Sequence, residues 1–161
     1  EEGIGEICIK GDTVMLGYYN RPDLTAEVIK DGWFYTGDYG YINSKEQLII
    51  CGRKKNVIVL DNGKNIYPEE IEGYIQGIDY VTEVVVTGEN NEASGNAKSL
   101  VAEVFLSESK TPAEVLRSIK NACKELPIYK QISSVIIRDK EFEKTTSNKI
   151  KRFVNDKTKK N

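Results

Sequence analysis

The sequence predicts an α+β fold: a small C-terminal domain with a hairpin and a three-stranded sheet flanked by helices, preceded by a β-rich piece of an N-terminal domain. Three observations predict it. Apolar runs on both sides of Asn62-Gly63 are the strongest short-range hairpin signal. Two helical patterns, each with proline in its first turn, alternate with β-branched runs. The charge balance also changes near Arg53: residues 1–52 hold 4 Lys/Arg against 9 Asp/Glu, a net −5, and residues 53–161 hold 19 against 16, a net +3.

Taken in order, "GEICIKGD" alternates as a strand, with Ile7 and Ile9 on one face. "RPDLTAEVI" reads as a short helix with Asp23 as N-cap. "DGWFYTGDYGYI" places Asp31-Gly32 and Gly37-Asp38 turns around aromatic strand residues, and "EQLIICGR" reads as a buried strand. These residues, 1–52, are too few to close a core and are expected to pack loosely without a larger neighbour. Beyond them, "VIVLDNGKNIY" is a hairpin and "YPEEIEGYIQG" a helix with Pro68 in its first turn and Gly77 as its stop. "VTEVVVTGE" and "SLVAEVFL" are strands joined by a polar loop. "TPAEVLRSIKNACKEL" is an amphipathic helix capped by Thr111, with Glu114 completing a capping box and Val115, Ile119, Ala122, Cys123 and Leu126 as its buried stripe. "SSVIIRD" is the last strand, and helix is expected from about Ile150 onward. Residues 53–161 should fold as a unit.

Composition narrows the function. The chain is 39% hydrophobic and 30% charged, as in soluble globular proteins. No apolar run approaches the ~20 residues of a membrane span, which leaves only peripheral membrane contact open. The opening "EEGIGEICIK" has no apolar signal-peptide region and no initiator Met, so a cytoplasmic protein and an excised piece of a longer chain are expected. The net charge of −2 argues against a dedicated nucleic-acid binder. Cys8, Cys51 and Cys123 are odd in number and widely spaced, as reduced core residues are. There is no histidine, which removes Ser-His and Cys-His nucleophiles and His-based metal sites.

Four segments can carry chemistry. In "FYTGDYG", Asp38 can accept hydrogen bonds from two adjacent hydroxyls, as on a ribose, or can simply cap a Gly-Asp turn. In "CGRKKN", Arg53, Lys54 and Lys55 form an anion site, a hinge or a charged linker. Gly63 of "LDNGKNIYPEEIE" is accounted for by a positive-φ turn position. In "KTTSNKIKR", Lys149 is either a solvated residue of a flexible loop or a cation delivered to an anionic centre.

In this order the segments resemble the C-terminal part of the adenylate-forming superfamily, which includes acyl-CoA synthetases, luciferases and peptide adenylation domains. "GEICIKGDTVMLGYYNRPDLT", "GWFYTGDYGYI", "GRKKNVIVLDNGKNIYPEEIE" and "LPIYKQISSVIIRDKEFEKTTSNKIKR" match four ordered family motifs across nearly the whole chain. The third is most similar to bacterial long-chain fatty-acid–CoA ligases. The resemblance implies that residues 1–52 end a large adenylating domain and that residues 53–161 are its mobile lid. It implies ATP, CoA and Mg²⁺ as cofactors and a carboxylic acid as substrate. By motif position, Asp38 binds the ribose hydroxyls, Arg53 helps hold the nucleotide and Lys55 is the hinge. Gly63 lies on the loop facing the CoA thiol, and Lys149 is the catalytic adenylation lysine. Asn148 stands where the family prefers Gly, but Asn tolerates positive φ, so the loop can still turn. Asn56 replaces an acidic residue at the hinge, and Glu141-Phe142-Glu143 replaces a Leu-Pro. The family's phosphate loop, carboxylate pocket and Mg²⁺-binding Glu lie outside these residues. The chain alone is therefore expected to be inactive, to hold no ligand and to have its own N-terminal domain as partner. Two other readings stay open: a stand-alone anion- or partner-binding module using the basic tail (Lys157, Lys159, Lys160), and the lid of a peptide-type adenylation domain serving a carrier protein.

Overall fold

The computed structural model describes residues 3–90 and 94–152. The chain divides into two compact units, Glu1–Val57 and Ile58–Asn161.

The first unit is an antiparallel sheet built on one long strand. Its elements are β1 (Gly5–Ile9), α1 (Pro22–Val28), β2 (Ile29–Lys30), β3 (Trp33–Ile42) and β4 (Leu48–Arg53). β3 pairs with all three other strands: β1 in the register Gly5↔Gly40 to Ile9↔Phe34, β2 at Phe34 and Trp33, and β4 from Asp38↔Arg53 to Ile42↔Leu48. The Asp31-Gly32 turn forms as expected, with φ of +52° and +78°, the pair of left-handed residues a two-residue hairpin needs. The expected Gly37-Asp38 turn does not form. Gly37 has φ of +73° but lies inside the continuous strand β3, opposite a register shift in β1. A left-handed glycine can be absorbed as a bulge as readily as it can reverse the chain. Asp23 is not the N-cap either. Pro22 occupies the first turn, which makes Arg21 the cap, and Asp23 binds Arg21 through Nη2–Oδ2 at 2.7 Å.

The sequence reading of β4 as buried is also corrected. Leu48, Ile49 and Ile50 are exposed, Ile50 by 64%. Among the described residues of this unit only Gly40 and Gly52 are buried. The apolar pattern is that of a core strand, but a single sheet layer has no second layer within the unit to cover it.

The second unit has its own core. β5 (Ile58–Val59) and β6 (Asn65–Ile66) form the predicted hairpin, followed by α2 (Pro68–Gln76), β7 (Val81–Asn90), β8 (Ala97–Leu106), α3 (Pro112–Ala122) and β9 (Ile132–Ile137). The sheet order is β7-β8-β9, antiparallel between β7 and β8 and parallel between β8 and β9, so α3 is a crossover helix. Both helices send their apolar stripes to one face. Ile71 and Ile75 of α2 and Val115 and Ile119 of α3 join Val84, Val86, Leu100 and Val104 in one buried cluster. The Thr111 capping box is present: Thr111 Oγ1 accepts from the Glu114 amide at 3.3 Å, and Glu114 accepts from the Thr111 amide at 2.8 Å. This reciprocal bonding holds the Glu114 carboxyl below its ordinary pKa, through the Thr111 side chain first and its amide second. α3 ends at Ala122, yet Cys123 and Leu126 remain buried in the turn beyond it.

Strand alternation puts Glu83, Val85, Val101 and Glu103 on the opposite face, and all four are buried as well. The segment after β9 covers them. Phe142 is buried there, its amide donating to Glu83 at 2.7 Å, and Arg138 stacks on its ring at 4.3 Å while reaching Glu103 at 3.2 Å. The helix expected from Ile150 is absent in its described part: Ile150 forms a β-bridge with Lys144. The remainder of that prediction, and the basic tail at Lys157, Lys159 and Lys160, lies outside the described residues.

Candidate functional site

Asp38 and Arg53 meet because β3 and β4 place them directly opposite each other. Arg53 Nε lies 2.8 Å from Asp38 Oδ1, with the Asp38 side chain 28% exposed. Among the described residues neither side chain pairs with any other protein group. The pair therefore presents a hydrogen-bond acceptor beside a fork of donors, a combination that fits a vicinal diol and an oxygen next to it.

The backbone around Asp38 is fixed from three sides. Thr36 Oγ1 donates to the Ile7 carbonyl at 2.8 Å and accepts from the Asp38 amide at 3.1 Å. Glu6 accepts from the Gly37 amide at 3.2 Å with one oxygen and from Lys54 Nζ at 2.8 Å with the other. That bond, and the Glu6 charge behind it, hold the Lys54 ammonium above its ordinary pKa. Lys55 follows in a short 3₁₀ turn, Lys54–Asn56, and is exposed.

In the second unit, Gly63 occupies the tip of the β5–β6 hairpin. Its amide donates to the Leu60 carbonyl at 2.8 Å, and its φ of +77° bears out the positive-φ requirement read from sequence. No atom lies within 4 Å of where a Cβ would stand. The position is open, so the glycine answers to backbone conformation and not to crowding.

Lys149 is exposed on a built hairpin, not on the unconstrained loop the sequence suggested. The Thr145 amide donates to the Lys149 carbonyl at 2.8 Å, and the Lys151 amide to the Glu143 carbonyl at 2.8 Å. The turn closes through the Asn148 amide to the Thr145 carbonyl at 2.9 Å, and Asn148 has φ of +61°. Thr145 Oγ1 also accepts the Lys149 amide at 3.1 Å. Asn148 thus takes the left-handed conformation that lets the loop turn, as expected from its tolerance of positive φ. Lys144, at the foot of the hairpin, is held above its ordinary pKa by Glu83 first and Glu141 second.

Asp38 and Arg53 are brought together in the first unit, with Lys55 near its end, while Gly63 and Lys149 belong to the second. Sequence reasoning missed the residues that hold these groups: Glu6 in the first unit and Glu72, Glu83 and Arg152 in the second. Glu6 pairs 48 residues away and Glu72 80 residues away, distances no local pattern encodes. Among the described residues no cluster of three or more His, Cys, Asp or Glu side chains is arranged to hold a metal.

A family model for the AMP-binding enzyme C-terminal domain matches residues 55–157. A long-chain-fatty-acid–CoA ligase of Escherichia coli O6:H1 is 39% identical over 149 residues, covering 92% of this chain and 25% of that protein. A 2-succinylbenzoate–CoA ligase of a Geobacillus species is 36% identical over 149 residues, covering 92% of this chain and 29% of the relative. The crystal structure of ATP-bound MatB from Rhodopseudomonas palustris superposes with a TM-score of 0.77 at 30% identity, covering 99% of this chain and 31% of that one. The chain thus spans about a quarter to a third of these proteins' length.

Proposed function

The chain belongs to the AMP-binding enzyme C-terminal domain family, and from that membership we propose that it is the closing part of an ATP-dependent acyl-CoA synthetase. The β-rich first part ends the large adenylating domain, and the remainder is the lid. The acyl substrate is a long-chain fatty acid, a choice supported by the 39% identity to the Escherichia coli ligase. CoA is the acceptor, since both curated relatives described above are named as CoA ligases. No helix among the described residues is long and apolar enough to cross a membrane. A cytoplasmic location accords with the thiol-only cysteines.

In the first half-reaction a carboxylate oxygen attacks the α-phosphorus of ATP. The new acyl-phosphate bond forms as the bond to pyrophosphate breaks. Two anions approach, and negative charge builds on the transferring group. Asp38 accepts from the ribose hydroxyls, Arg53 donates to the nucleotide, and the Lys149 ammonium offsets the charge between the reactants. In the second half-reaction the CoA thiol, losing its proton, attacks the acyl carbon and AMP leaves. Gly63 leaves room for that thiol, and rotation near Lys55 exchanges the two arrangements of the lid. Without the remainder of the large domain the chain catalyses neither step.

The hairpin that holds Lys149 outward at a left-handed Asn148 carries this reading. Its test is Lys149→Ala in the full-length ligase. Adenylate formation should fall about 10²- to 10³-fold, the worth of one pre-placed donor to a developing charge. Thioester formation from supplied acyl-adenylate should persist. Equal loss of both would refute the role.

A further inference from the structure

Both legs of the Lys149 hairpin are fastened to carboxylates of the second unit, one buried (Glu83) and one half-buried (Glu72). On the first leg, Glu83 of β7, 6% exposed, accepts the Phe142 amide at 2.7 Å and pairs with Lys144. On the second, Arg152 grips Glu72 of α2 with both arms, Nη1 to Oε1 at 2.7 Å and Nη2 to Oε2. Glu72 also accepts the Val86 amide at 2.7 Å, so the same carboxylate ties α2, β7 and the hairpin together. Arg152 lies 3.7 Å from Glu69 as well. The anchors stand on two different elements and hold the two legs separately.

We propose that Glu72 and Glu83 are positioning residues for Lys149, clamping its hairpin so that the ammonium is carried by the second unit as a rigid arm. Resting on the adenylation role proposed above, this clamp makes the reach of Lys149 a property of the whole unit. Bidentate, partly buried charge-assisted bonds are the strong, geometrically specific kind. Losing such a bond relaxes the segment it holds.

The test uses the full-length ligase and two readouts. Amide hydrogen exchange is followed in a peptide spanning residues 143–152 and in one spanning β8. Adenylate formation is followed beside thioester formation from supplied acyl-adenylate. Glu72→Gln keeps an acceptor for Val86 but loses the charge that holds Arg152. It should speed exchange in the hairpin about tenfold or more and leave β8 unchanged, on the scale of a charged hydrogen bond. It should slow adenylate formation about tenfold and leave thioester formation within about twofold. In a Lys149→Ala background the same change should add nothing further, whereas a merely structural role would add its loss to that of Lys149. Should Glu83→Gln fail to fold, Arg152→Lys and Lys144→Met carry the test from the hairpin side. Unchanged hairpin exchange in all soluble variants overturns the clamp. Faster exchange with unaltered adenylate formation, in an enzyme that Lys149→Ala disables, overturns the positioning role. If Lys149→Ala leaves adenylate formation intact, the catalytic reading fails on its own, and the exchange data still decide whether the clamp exists.

Discussion

Arg53 and Asp38 face each other across the β3–β4 ladder, Nε to Oδ1 at 2.8 Å, and neither side chain pairs with any other protein group among the described residues. Half the Arg53 side chain is exposed, so solvent screens the pair and its worth to folding is small, about 0–1 kcal/mol. Asp38→Asn should leave the unfolding midpoint nearly unchanged. If the pair receives a nucleotide, the same substitution should raise KM for ATP about tenfold, the scale of a charged hydrogen bond. Steady-state kinetics beside a denaturant titration separates the two; a large stability loss with unaltered KM would make the pair structural.

Gly63 has no neighbour within 4 Å of a Cβ position, so a side chain there pays only for its left-handed backbone, about 1–2 kcal/mol. Gly63→Leu should therefore give a folded full-length ligase. If Gly63 faces the CoA thiol as proposed, thioester formation should slow while adenylate formation holds. Stopped-flow measurement of the two half-reactions checks this.

The Glu114 carboxyl, with its pKa lowered by Thr111, sets an acid-side dependence of stability. A group whose pKa is lower folded than unfolded contributes stability above its unfolded value, and loses it as pH falls through the folded value. Stability should hold at neutral pH and decline below the ordinary carboxylate range. Glu114→Gln should flatten that part of the decline, as read by thermal melts across acidic pH. Thr111→Ala should remove the cap itself, at about 1 kcal/mol.

The two units should respond oppositely to apolar truncation. Ile119 is fully buried among Ile71, Val104 and Val115, and Ile119→Ala should cost about 2–5 kcal/mol. Ile50 is 64% exposed, and Ile50→Ala in this chain should change stability by about 0.5 kcal/mol or less. Urea unfolding of the 161-residue chain tests both. A large effect at Ile50 would mean that the first unit hides a core.

Local chemistry was legible in the sequence where the signal and its partner lie close together. The Thr111–Glu114 box, the Asn62-Gly63 turn, the proline-led helices and the left-handed Asn148 all took the form their residues imply. Gly37 misled because a positive φ serves a bulge as well as a turn. Leu48 to Ile50 misled because apolar alternation reports that a strand wants cover, and not that cover is present. The glutamates that hold Asp38 and Lys149 in place were illegible. Nothing near Glu6, Glu72 or Glu83 in sequence marks the cation or amide that the fold sets against each.

The arm that carries Lys149 is the last part of the described chain to leave the ribosome. Its fastenings reach back 59 residues, from Phe142 to Glu83, and 80 residues, from Arg152 to Glu72. Contacts this distant in sequence bear a loop-closure cost that only an already assembled sheet repays. A chain released just short of Arg152 would keep every strand of β7-β8-β9 and lose the cation that secures the hairpin's second leg. Such a product would present its lysine on a half-moored arm, with Glu72 left facing the Val86 amide and no cation.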